Sequence, residues 1–96
     1  MEYTIFITQS AIKDIDEGVE YYNTKVVDLG FKFTEDIDEN LKLIGRNPFA
    51  FSERYKTVRG KLLKNFPFLI LYQINSVLQR IEILRIFNTH KNPYWD

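Results

Sequence analysis

The chain of 96 residues contains no cysteine, one histidine, one methionine and only four glycines. Without thiols it builds neither a disulfide framework nor a thiolate metal centre, as expected in a reducing compartment. One histidine argues against metal clusters and a Ser-His-Asp arrangement, and no glycine-rich loop is present to cradle a phosphate. No segment approaches the roughly 18 uninterrupted apolar residues of a membrane span. The opening MEYTIFITQS lacks the basic start and long apolar stretch of a signal peptide. These absences predict a cytoplasmic protein with no cofactor, no metal and no membrane partner.

What is present is apolar and aromatic. Hydrophobic residues make up 45% and aromatics 16%, with eight Phe and six Tyr. That is enough for one compact core, so residues 1–96 are expected to form a single domain. The formal charge of zero conceals two unequal halves. Up to Gly45 there are ten acidic and four basic residues; after it, three acidic and nine basic. The asymmetry fits an anionic partner for the basic half, or simple neutralisation of a basic sheet by acidic helices.

The periodicities place these charges. EYTIFIT alternates, with Tyr3, Ile5 and Ile7 on one face, and reads as a strand. Ser10 offers an N-cap, after which Ile12, Ile15, Val19, Tyr22 and Val26 recur at helical spacing. Asp14, Asp16, Glu17 and Glu20 then form a solvated face. Asp28 can cap a second helix striped by Phe33, Ile37, Leu41 and Ile44, with Asp36, Glu39 and Lys42 facing away. Gly45 and Asn47-Pro48 end it. A short strand follows at Arg54 to Val58. FPFLILYQI (Phe66 to Ile74) is apolar on both faces and therefore central, and QRIEILRIF (Gln79 to Phe87) is last. Pro67 cannot donate to a ladder and belongs at the start of its strand. The expected fold class is α+β, β-α-α-β-β-β, with an N-terminal helical hairpin on one face of a small antiparallel sheet. Arg59, Lys61, Arg80 and Arg85 are placed on its open face or rim.

Three stretches in this order, RNP at Arg46 to Pro48, VRGKLLKNFPFLILYQI at Val58 to Ile74 and IEILRIFNTHKNPYW at Ile81 to Trp95, resemble the RelE/ParE superfamily of toxins. The resemblance covers nearly the whole chain. It implies the toxin of a type II toxin-antitoxin pair, bound by a co-encoded antitoxin. Members similar to RelE cut messenger RNA in the ribosome, whereas those resembling ParE poison DNA gyrase. RelE-like enzymes carry an arginine where this chain has Leu69, and many relatives have a histidine where it has Asn88. Both departures favour the ParE-like reading, with a ribosome-dependent endoribonuclease as the alternative and a non-toxic antitoxin-binding module as a third.

In the nuclease reading, the resemblance makes Arg59, Arg85, His90 and Tyr94 the catalytic set, binding phosphate and moving a proton. Lys61, Arg80, Lys91 and Trp95 are the expected target-binding residues. Each has a plainer reading. Arg59 and Arg85 could pair with Glu53 or Glu82, His90 could be an ordinary loop residue, and Tyr94 and Trp95 could cap the apolar sheet edge. Convergence of His90, Lys91 and Tyr94 with Arg59 at one point would favour catalysis; scatter would favour binding. A homodimer is possible but not required.

Overall fold

The first strand, β1 (Thr4–Ile7), runs beside the last, β5 (Arg80–Asn88), and in parallel with it: Thr4 opposes Arg80 and Ile7 opposes Ile83. The computed structural model describes residues 3–90. Between these strands lie α1 (Gln9–Lys25), α2 (Leu29–Arg46), a 3-10 turn (Pro48–Ala50), β2 (Glu53–Tyr55), β3 (Val58–Leu62) and β4 (Phe68–Asn75). The sheet order is β1-β5-β4-β3-β2, with every pairing except β1-β5 antiparallel. This is the expected α+β layout with two refinements. The sheet is mixed, and the strand expected at Arg54 to Val58 is two strands that reverse at Lys56, whose φ of 52° is left-handed.

β4 is central and buried over its first five residues, as its apolar faces require. Phe68, Ile70 and Tyr72 face the helices and join Phe33, Ile37, Ile44, Ile81, Ile83 and Ile86 in the core. Leu69 and Leu71 lie on the other face and are buried too. Pro67 precedes the strand, where its missing N–H costs nothing.

The caps differ from the sequence reading. Thr8, not Ser10, opens α1: its hydroxyl oxygen accepts from the Ala11 N–H at 3.2 Å. The same hydroxyl lies 2.8 Å from the Ile83 carbonyl, tying helix start to β5. Asp28 precedes α2 in a left-handed conformation (φ 67°) and makes no side-chain cap. The Asn23 side chain does that work from α1, accepting from the Gly30 N–H at 2.9 Å. Tertiary contact thus replaces the local cap.

Asp36 does not face solvent. It is buried, and its carboxylate accepts from the Lys64 N–H at 3.2 Å, the Asn65 N–H at 2.7 Å and the Asn40 amide at 3.0 Å. The loop from β3 to β4 is therefore fastened to α2 by a carboxylate, which satisfies backbone donors that no ladder reaches.

Candidate functional site

Arg59 lies opposite Tyr72 and Lys61 opposite Ile70, so both project on the helix side of the sheet, at the rim the helices leave uncovered. Arg59 is committed there. Its Nη1 donates to the Phe51 carbonyl at 2.8 Å and reaches that of Phe49 at 3.5 Å, while Nη2 stands 3.9 Å from Glu53. The Tyr72 hydroxyl donates to the Pro48 carbonyl at 2.6 Å. Together these bonds fix the turn from α2 into β2.

Burial pushes the Tyr72 phenol up to about 12, with the nearby Arg59 charge partly opposing the shift. The fold favours the neutral phenol, so stability is intact below pH of about 10, where unfolded tyrosine is still protonated. It declines as the pH rises through about 12, by about 3 kcal/mol in all. Tyr72→Phe is expected to abolish this alkaline component in unfolding curves recorded from neutral pH upward; an unchanged pH profile would assign it elsewhere.

Arg85 sits at a β-bulge. Leu71 opposes Arg85 and Tyr72 opposes Ile83, leaving Leu84 as the extra residue. The bulge breaks the alternation, and the Arg85 guanidinium meets Asp14 of α1 through two bonds, Nε at 2.7 Å and Nη2 at 2.9 Å. The Ile86 N–H also donates to Asp14, at 2.9 Å. The partner is thus neither Glu53 nor Glu82, and Asp14 leaves the solvated acidic face. Asp14→Ala removes three charge-assisted bonds together and is expected to lower stability by about 2 kcal/mol in urea unfolding. A loss below a few tenths would mean the clasp is a surface pair.

Arg80 faces the other side of the sheet. It bonds Glu82 through Nε and Nη2 at 3.2 and 3.0 Å and lies 4.8 Å over the exposed Phe6 ring. The Glu82 carboxyl is held below its ordinary range, first by the Gln73 amide and then by Arg80. His90 is exposed beyond the end of β5, its N–H bonded to the Asn88 side chain at 2.9 Å.

These positions are scattered. Asn88 opposes Phe68 while Arg59 opposes Tyr72, which puts their α-carbons about 16 Å apart by strand rise and spacing. Arg59, Arg85 and Arg80 each bond a different partner set, and His90 meets none of them. Lys91, Tyr94 and Trp95 lie outside the described residues. Among the described residues no group of three or more His, Cys, Asp or Glu side chains could hold a metal, and no helix is long and apolar enough to cross a membrane.

Among the described residues, two of the clefts that border the helical hairpin bear on the site. One, of about 440 Å³, runs beside the Asp14–Arg85 clasp and is lined by Glu17, Tyr21, Phe68 and Asn88. The other, of about 490 Å³, is an apolar groove of Ile7, Ile15, Phe31, Ile37 and Leu41 with Glu35 and Asp38 at its margin. Asp14 and Asp36 are structural carboxylates that periodicity placed on solvated faces. Asp36 did carry a signal, since it and Asn40 share the spacing of Phe33, Ile37 and Ile44.

A helical hairpin laid on a sheet of this order is a fold that solved chains of two toxin-antitoxin systems also have. A chain from the chromosomal ParDE TA system of P. aeruginosa superposes with a TM-score of 0.79 at 22% identity, over 91% of this chain and 96% of that one. A chain from the toxin-antitoxin complex RelBE2 of Mycobacterium tuberculosis does so with a TM-score of 0.58 at 18% identity, over 92% and 99%. At these identities the likeness is one of fold. No curated protein matches in sequence. The family model of the ParE toxin of the type II toxin-antitoxin system, parDE, matches residues 5–93, and the chain belongs to that family.

Proposed function

We propose that this protein is the toxin of a type II pair, neutralised by a co-encoded antitoxin, and that it acts in the cytoplasm by inhibiting DNA gyrase without cleaving RNA. The observation that carries this reading is the commitment of both candidate catalytic arginines, Arg59 and Arg85, to packing. Arg59 holds the Phe49 and Phe51 carbonyls and Arg85 is clasped by Asp14. A phosphate clamp needs donors aimed at the scissile group, and here they are aimed at the protein itself. Leu69 is buried in the sheet and Asn88 binds the His90 backbone, so neither supplies the missing chemistry. The match of residues 5–93 to the ParE toxin family supports the ParE-like side of this reading.

The antitoxin reading draws on the groove between α1 and α2, whose apolar floor and exposed Phe31 match the face of an amphipathic segment. A complex with the neighbouring gene's product that left residues 54–96 untouched would refute the wider wrapping expected of it. The RelE-like reading, a ribosome-dependent messenger RNA endoribonuclease, is favoured by one feature, the cations along β2 and β3.

Induced expression of the chain, beside an Arg59→Ala and Tyr94→Ala double variant, separates the readings. Growth arrest with intact messenger RNA, DNA damage and inhibited supercoiling by purified gyrase is expected for the wild type. New ribosome-dependent RNA ends, absent from the double variant, would instead assign a nuclease. No arrest would leave a non-toxic antitoxin-binding module.

A further inference from the structure

Gly60 is buried on the face of the sheet turned away from the helices, because it opposes Leu71 while its neighbour Arg59 opposes Tyr72. The space a side chain would fill there is taken by Arg54 of β2. A Cβ built on Gly60 would lie 2.8 Å from Arg54 Cγ and 3.1 Å from its Nε, with Leu69 Cδ1 at 3.0 Å. The Arg54 stem thus crosses the sheet over Gly60 and beside Leu69, and the glycine is what lets it lie flat. Its head has no partner within the fold. Arg59, Arg80 and Arg85 each bond oxygens of this chain, whereas Arg54, among the described residues, makes no hydrogen bond or ion pair. The surface around it is apolar: Leu62 opposes Leu69 on the same face and is exposed, as is Tyr55, which pairs with Val58.

We infer that this face is a protein-docking site anchored by Arg54, whose guanidinium takes a carboxylate that the toxin's target presents among apolar side chains. An arginine held in place by packing, without an internal partner and ringed by apolar residues, has the composition of an interface anchor. Its stem is already immobilised, so little ordering entropy is lost on binding. The planar fork of N–H donors then matches a carboxylate through two parallel bonds. A phosphate chain fits less well. It needs a row of cations, and the other arginine on this face, Arg80, is neutralised by Glu82. The groove assigned to the antitoxin lies on the helix side of the molecule, which leaves this face to a different partner. The inference rests on the reading of this chain as a toxin, but not on gyrase being its target.

The test compares the full chain with Arg54→Met, Arg54→Lys and Gly60→Ala, and with Lys13→Gln on α1 as a control. Methionine keeps an apolar stem over Leu69 and removes the charge; alanine at position 60 keeps the charge and displaces the stem. Each is induced over a range of levels in bacteria, with protein amounts and thermal midpoints measured. Arg54→Met is expected to require about tenfold more protein for the same growth arrest, at an unchanged thermal midpoint. Arg54→Lys and Gly60→Ala should fall between it and wild type, and Lys13→Gln should match wild type. Loss of toxicity that merely follows a lowered thermal midpoint would overturn the site, as would a wild type that causes no arrest. If Arg54→Met arrests growth as wild type does, the site is equally overturned, and escape of that variant from the co-encoded antitoxin would give the face to the antitoxin instead. Ribosome-dependent RNA ends made by wild type and lost in Arg54→Met would make the contact a phosphate and overturn the carboxylate. Arrest that depends on Arg54 while supercoiling by purified gyrase proceeds unhindered would sink the gyrase reading and leave this site in place.

Discussion

Gly18→Val is expected to destabilise the protein by about 3 kcal/mol, lowering its thermal midpoint by well over 10 °C. Gly18 is the point of closest approach between α1 and the Phe33 ring of α2. A methyl group built on it would lie 2.7 Å from Phe33 Cζ, closer than carbon atoms tolerate. Phe33 cannot retreat, because it is fully buried and its ring packs against Tyr22 at 5.3 Å, Phe66 at 5.3 Å and Phe68 at 4.8 Å. Alanine at this position would gain up to about 1 kcal/mol of helix propensity. The same clash is expected to outweigh that gain. Unfolding in urea, followed by circular dichroism, measures the loss. Pairing Gly18→Ala with Phe33→Leu should recover part of it if the two residues share one contact, and strict additivity would show that they do not.

Asp36→Ala is expected to cost about 3 kcal/mol, although the side chain bears no relation to any binding surface. The substitution deprives the Lys64 and Asn65 N–H groups and the Asn40 amide of their shared acceptor in a buried setting. Lost bonds to a charged acceptor, with donors left unsatisfied, are the expensive kind. Asp36→Asn retains one oxygen but turns an amide nitrogen towards donors, so an intermediate loss follows. Hydrogen exchange at the Lys64 and Asn65 amides should accelerate in both variants before the rest of the sheet does. If protection at these amides persisted in Asp36→Ala, the loop would be held by something else.

The sequence disclosed the elements and the central strand because those rest on local patterns. Ile15, Val19 and Tyr22 mark the packed helix face, although Ile12 and Val26 of the same expected stripe stay exposed, and FPFLILYQI reads as a strand buried on both sides. Its family was visible in the order of three motifs, and the family match over residues 5–93 agrees. The parallel neighbour of β1 was not visible, since Thr4 and Arg80 carry no local mark of each other. Nor was the clasp of Asp14 on Arg85: Asp14 read as a solvated charge and Arg85 as a site residue or a partner of Glu53 or Glu82, until the bulge at Leu84 turns one towards the other. Helix caps failed for a related reason, as Thr8 serves β5 and α1 together and Asn23 reaches across the hairpin. The candidate arginines were found, but the uses of Arg59 and Arg85 are set by the Phe51 carbonyl 8 residues away and the Asp14 carboxylate 71 residues away.

The pairing of β1 with β5 also governs when this protein becomes itself. Joining Thr4 to Arg80 closes nearly the whole chain, an entropic cost of about 4 kcal/mol that no nearby contact offsets. On the ribosome, the acidic helical hairpin emerges first and must wait for β4 and β5 before its apolar faces are covered. At ordinary translation speeds that interval lasts roughly 2 to 8 seconds. Folding dominated by such distant pairings is slow. A nascent copy therefore spends its first seconds as an unfinished sheet: Ile7, which lines the groove beside the helices, has no β5 to pair with until the end, so that groove is completed only with the last strand.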